Sequence, residues 1–167
     1  DHVASLRQEA EYTAKLEISN RAMEAARQQS ESILESAGEG ICGVDIDGKI
    51  VFINPAAREM FGWENDEGVG LDLHAHTHHH LPDGTSFPRT DCAIWKTLTD
   101  GVRREVHDDL YWRKDGTSFP VEFTVSAIEQ DGTISGAVNV FRDISERKKI
   151  ESELDQHRRH QIGRAHV

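Results

Sequence analysis

Residues 40–63 read GICGVDIDGKIVFINPAAREMFGW. Residues 40–54 form two short apolar runs on either side of Asp47-Gly48. Asp-Gly is a strong hairpin signal, because a tight turn whose twist matches its strands needs positive φ and glycine supplies it without steric cost. Asn54-Pro55 follows at once. An Asn side chain accepts from the first free amides of a helix, and proline at the next position has a φ already suited to one. The run AAREMFGW then carries one or two helical turns, stopped at Gly62. A hairpin feeding directly into a short helix is the signature from which the rest is read.

Downstream, residues 64–90 are polar and loop-like, and 73–84 read LHAHTHHHLPDG, with His74, His76, His78, His79 and His80 close together. The segment TDCAIWKTLTDG (90–101) predicts a second short helix, capped by Thr90 or Asp91, with Ile94, Trp95 and Leu98 inward and Gly101 at its end. Residues 103–113 predict a strand leading to a turn at Lys114-Asp115-Gly116. In TSFPVEFTVSAIEQ (117–130), Phe119, Val121, Phe123, Val125 and Ala127 alternate with polar residues, the period of a half-buried strand. Asp131-Gly132 turns the chain again, and TISGAVNVFRDI (133–144) is the last strand. SERKKIESELDQ then predicts a charged exit helix with Ile150 and Leu154 on one face. Two strands, short helices and three strands joined by Asp-Gly turns make an antiparallel sheet with helices on one face, an α+β arrangement.

Upstream, residues 1–37 contain neither Pro nor Gly. Tyr12, Leu16, Ser19, Met23, Ala26, Ser30, Ile33 and Ala37 step by alternating fours and threes, a weak heptad seam. So polar a helix is marginal alone in water, so it is expected to pair with a second copy as a coiled coil. The expected organisation is a helical linker at 1–30, a domain at 31–144, an exit helix at 145–160, and a tail at 161–167 whose IGRAHV breaks the pattern as an appended segment would. Asp1 is not an initiator, so the chain is expected to be part of a longer protein. DGTSFP occurs at 83–88 and at 115–120; in both copies Asp-Gly supplies a turn from which Thr-Ser-Phe leaves extended.

The net charge of −11 argues against nucleic acid or an anionic membrane as a partner. No apolar run approaches the roughly 18–20 residues of a membrane span. Cys42 and Cys92 form no C-x-x-C motif and are expected to be buried thiols in a reducing cytoplasm. No phosphate-binding glycine loop or nucleophile elbow is present, so the chain is expected not to be an enzyme.

The segments ILESAGEGICGVDIDGKIVFINPAAREMFGW (33–63), WRKDGTSFPVEFTVSAI (112–128) and GAVNVFRDISERKKIE (136–151) resemble, in this order, a PAS domain, the small sensor module of bacterial signalling proteins. The middle, HTHHHLPDGTSFPRTDCAIWKTLTDG (76–101), is similar to a PAS subgroup with a histidine-rich segment ahead of a cysteine-bearing helix. The resemblance implies a five-stranded antiparallel sheet with helices on one side, a pocket between them, and signals leaving through the terminal helices. The parent implied is a histidine kinase or diguanylate cyclase. It also implies a homodimer coupled to a downstream effector domain. Asp143, Ile144 and Ser145 occupy the junction through which a signal would pass, and the Ser145 hydroxyl can cap the exit helix.

The pocket candidates are Phe61, Trp95, Leu98, Val121, Phe123 and Val125. Such domains bind haem, flavin, metal ions or small metabolites, or bind nothing and only dimerise. Photochemical flavin binding is not expected, because TDCAIWKTL lacks the Asn before the cysteine and the Arg-Phe-Leu after it. Haem lacks a histidine on the middle helix; His107 lies on a predicted strand. A metal remains open: His76, His78 and His80 alternate, so an extended loop would put them on one side, with Asp72, Asp83 and Cys92 available to complete a site. Three readings follow: a ligand-sensing relay, a ligand-free dimerisation spacer, and metal sensing through residues 74–80.

Overall fold

A computed structural model of the chain describes residues 1–36 and 38–165. They fall into two compact units, one N-terminal and one starting at Gly38. The first is a single helix, α1 (His2–Ser36). Tyr12, Leu16, Met23 and Ile33 of the heptad seam are all exposed on the single chain; Ala37, its last expected member, lies outside the described residues.

The second unit is the α+β arrangement expected. Strands β1 (Gly40–Asp45) and β2 (Ile50–Ile53) lead through helices α2 (Pro55–Phe61), α3 (Leu73–Thr77) and α4 (Ala93–Asp100) to β3 (Arg104–Trp112), β4 (Ser118–Gln130) and β5 (Thr133–Asp143). Helix α5 (Ser145–Ala165) follows. The sheet is antiparallel in the order β2-β1-β5-β4-β3. First and last strands are thus central neighbours, with Cys42 opposite Asn139. The close β1–β5 approach needs Gly136, where a Cβ would lie 2.2 Å from the Val44 carbonyl oxygen.

The opening hairpin and helix form as their residues dictate. Gly48 sits at φ 81° in the turn. Asn54 Oδ1 accepts from the amides of Ala57 at 3.0 Å and Ile41 at 2.9 Å, while Nδ2 donates to the Glu39 carbonyl at 2.9 Å. Gly62 ends α2 at φ 78°. The alternation in β4 buries Phe119, Val121, Phe123 and Val125 against the helices. Phe61 lies at the centre of the core, its ring within 4.9–6.1 Å of Trp63, Phe141, Tyr111 and Phe119.

Two expectations need correction. The segment around the histidines is not one extended loop, because Asp72 Oδ1 accepts from the Ala75 amide at 3.0 Å and starts α3. Neither Thr90 nor Asp91 caps α4; both lie in a 3₁₀ turn (Arg89–Asp91), and Cys92 holds the cap position. Helix α5 runs past the expected tail boundary at 161 to Ala165, and residues 166–167 lie outside the described residues.

The repeated DGTSFP builds the same turn twice. Asp83 Oδ1 accepts from the Thr85 amide at 2.9 Å and its hydroxyl at 2.6 Å. Asp115 Oδ1 does the same with Thr117, at 2.9 and 2.6 Å. The turns close two hairpins, His80 opposite Ser86 and Trp112 opposite Ser118. Trp112 Nε1 donates to the His80 carbonyl at 3.0 Å and ties one hairpin to the other.

Candidate functional site

Helix α3 sets the geometry of the histidines. Residues four apart share a helix face, so the pair brought together is His74 and His78, not His76, His78 and His80 as in an extended chain. His76 is exposed, its Nδ1 bonded at 2.9 Å to the Asp72 carbonyl. His79 stacks on Trp112 at 5.4 Å, and His80 contacts the same indole at 6.3 Å. His78 alone is fully buried, enclosed by the rings of Phe87, Tyr111 and Phe123 at 4.7, 5.3 and 6.0 Å.

Three chain segments meet at His78. Its Nδ1 lies 3.2 Å from Cys92 Sγ, at the head of α4. Its Nε2 lies 2.8 Å from Asp109 Oδ2, on β3. His74 completes the group: a ring nitrogen of His74, one of His78 and the Cys92 sulfur all lie within 4.8 Å of one another. His74 Nε2 donates at 2.8 Å to the carbonyl of Phe87, in the first of the twin hairpins. A carbonyl can only accept, so Nε2 carries a proton. His74 Nδ1 is buried without a hydrogen-bond partner.

Asp109 reaches the interior through a β-bulge. Val106 pairs with Phe123 but Asp109 pairs with Val121, so β3 has one residue more than its partner across this step. The extra residue switches the phase of the strand. Asp109 and Tyr111 consequently point inward. Asp108, at the same bulge, points out and binds Lys148 Nζ of α5 at 2.6 Å. His107 is also outside, beside Glu105 and Glu122.

The electrostatics of the two cysteines diverge. Burial pushes the Cys42 thiol up to about 12, despite a contact from Asn139. Burial also acts to raise the Cys92 thiol, but the neighbouring His74 and His78 imidazoles outweigh it and bring it to about 6. Burial acts to lower His78, yet its bonds to Asp109 and Cys92 raise it to about 9. Cys92, His78 and Asp109 thus form a chain of polar contacts from the head of α4 to β3, in which the His78 imidazole favours the charged form of the Cys92 thiol. Asn139 Nδ2 donates to the Tyr111 hydroxyl at 2.9 Å beside Cys42, a second polar group buried in the core.

The pocket candidates from the sequence divide between core and cleft, with Trp95 and Leu98 lining the latter. Phe61, Leu98, Val121, Phe123 and Val125 are buried in one continuous core, and Trp95 packs against its edge. The cleft between α4 and the start of α3, lined by Leu73, His74, Cys92, Ile94, Trp95 and Leu98, has a volume of about 10 Å³. That is room for about one water molecule. An open groove of about 240 Å³ lies across the outer sheet face, among charged residues including Glu39, Glu105, Glu122 and Arg142.

At the junction, Val121 pairs with Asp143, so Asp109, Val121 and Asp143 form one row across β3, β4 and β5. Asp143 Oδ1 accepts from the Ser145 amide at 2.8 Å and the Ser145 hydroxyl at 2.5 Å. The carboxylate, rather than the Ser145 hydroxyl, takes up the free groups of the helix start. Ile144 is buried, and its amide donates to the Pro120 carbonyl at 3.0 Å. Arg147 reaches Glu122 of β4 at 3.1 Å.

A family model described as the PAS fold matches residues 28–144. A protein named "Probable diguanylate cyclase" from Escherichia coli is 28% identical over 137 residues, covering 81% of this chain and 12% of that protein. A signal transduction histidine-protein kinase of Escherichia coli is 26% identical over 137 residues, covering 81% of this chain and 21% of the kinase. This chain thus spans only about one-eighth to one-fifth of those relatives. The PAS domain of an HTR-like protein from Haloarcula marismortui superposes with a TM-score of 0.61 at 21% identity, over 77% of this chain and 99% of that one. No described helix is long and apolar enough to cross a membrane.

Proposed function

The chain belongs to the PAS family, homologous to sensory modules of kinases and cyclases, and from that membership we propose that it relays a signal from the His78 cluster to α5. The bulge in β3 carries this reading. Asp109 and Asp108 are consecutive, one bound to His78 in the interior and the other to Lys148 on α5. A change at His78 that moves Asp109 also moves Asp108, and the row Asp109–Val121–Asp143 leads to the same helix start. A ligand shifts such an element only by preferring one of its two arrangements. The exposed apolar residues of α1 support a homodimer, in which two copies of α5 pass the change to an effector domain. The two unpaired cysteines support a reducing, cytoplasmic setting.

The spacer reading has one observation in its favour, the filled interior with its cleft of about 10 Å³. The two readings part at Asp143. In the signalling protein that carries this domain, Asp143→Ala is expected to uncouple output from signal while the domain keeps its circular dichroism spectrum. A response identical to wild type would remove the junction from the relay and favour the spacer.

A further inference from the structure

The geometry points to a binding site for one thiophilic divalent transition metal ion, of which zinc is the type, formed by His74, His78 and Cys92. The inference rests on the reading of this cluster as the input and names its ligand.

The donor set and its surroundings both fit. Two imidazoles and a thiolate are what such ions select over oxygen ligands. Each histidine has its Nε2 engaged by an oxygen, His74 by the Phe87 carbonyl and His78 by the Asp109 carboxylate. This outer contact fixes ring orientation in metal-binding histidines and leaves the other nitrogen for the ion. The nitrogens so presented are His74 Nδ1, buried and unpartnered, and His78 Nδ1, 3.2 Å from Cys92 Sγ; binding releases to solvent the proton that His78 Nδ1 and Cys92 Sγ share. The ligand atoms lie within 4.8 Å of one another, slightly wider than an ion with bonds of about 2.0–2.3 Å draws its donors. A side-chain movement of under an ångström per residue closes that difference. The ligands come from α3 and the head of α4, while the orienting groups come from the first hairpin and from β3. An ion would therefore fasten four separate segments, including the Asp109 bulge. Three protein ligands leave a fourth coordination position for water or a small anion.

The test is a cobalt(II) titration of the reduced, chelator-treated chain, with zinc as competitor. One equivalent is expected to give a tetrahedral ligand-field spectrum with a sulfur-to-cobalt charge-transfer band, bleached by zinc. Cys92→Ser and His74→Ala are each expected to abolish that spectrum, and circular dichroism reports whether each variant has folded. Asp109→Ala keeps all three ligands and is expected to weaken affinity on the order of 10–100-fold. The triple variant His76→Ala, His79→Ala, His80→Ala is expected to bind as wild type. Absence of a one-equivalent spectrum would overturn the site. So would binding that survives Cys92→Ser, or binding lost in the triple variant, which would mark adventitious uptake by the other histidines of the segment. Binding is read on this chain alone and the relay at α5, so either can fail without the other.

Discussion

Phe61→Ala is expected to lower the stability of the domain by about 3–5 kcal/mol, the range for removing a fully buried aromatic ring. Phe61 has no exposed surface, and its ring lies against four others, from β3, β4, β5 and Trp63 two residues beyond α2. The hole cannot be filled by one neighbour moving, because those neighbours are fixed by the sheet. Against a total stability of about 5–15 kcal/mol the loss is large. Thermal unfolding followed by circular dichroism should show the midpoint falling by roughly 10–20 °C. Phe61→Leu keeps most of the volume and is expected to cost under about 1.5 kcal/mol. Similar midpoints for the two variants would mean that filling the volume contributes little and the aromatic ring itself carries the effect.

Asn54→Ala is expected to cost about 3 kcal/mol, combining the loss of a helix cap with buried backbone groups left short of partners. Asn54 is almost fully buried and serves the start of α2, the first residues of β1 and the carbonyl of Glu39 together. Asn54→Ser retains a hydroxyl that can reach the Ala57 amide but not the amide of Ile41. It is expected to recover about 1 kcal/mol, the value of the cap alone. Urea denaturation resolves a difference of this size. Equal losses for alanine and serine would place all of the effect in the β1 contacts.

Both residues could be found in the sequence, because they belong to signals that are local. Asp47-Gly48, Asn54-Pro55 and Gly62 each impose a backbone conformation on their own neighbours, and the structure repeats them residue for residue. The five-stranded order could not come from such signals. It rests on the pairing of β1 with β5, almost a hundred residues apart in the chain, and was accessible only through the resemblance to PAS domains.

The candidate site was legible by half. Cys92 and His78 belong to the set expected from the sequence and do meet. His74 was missed because the histidine segment was given an extended period, which selects every second residue. The signal for helix was present: Asp72 is a good N-cap, and neither Gly nor Pro follows before His78. Asp109 was missed for a different reason. Strict alternation from Val106 turns it outward, and only the bulge brings it in. Three successive polar residues, His107-Asp108-Asp109, interrupt the strand pattern there and mark the irregularity. The pocket candidates show the limit of composition, since apolar side chains on strands fill a core and line a cavity with the same pattern.

The coupling of the cluster to the exit helix is tested most directly by amide hydrogen exchange of the wild-type chain beside Asp109→Ala. Replacing Asp109 releases the bulge from His78 without touching any residue of β5 or α5. The relay predicts faster exchange at Ser145 and Lys148, whose amides bond to Asp143 and Ile144. An increase of about tenfold corresponds to about 1.4 kcal/mol of lost local protection. Gln130, paired with Thr133 at the end of β4 away from Asp143, serves as the internal control and is expected to stay unchanged. Exchange at Ser145 and Lys148 that matches wild type, with β3 loosened, would contradict the account: the cluster would then move its own strand and nothing beyond it.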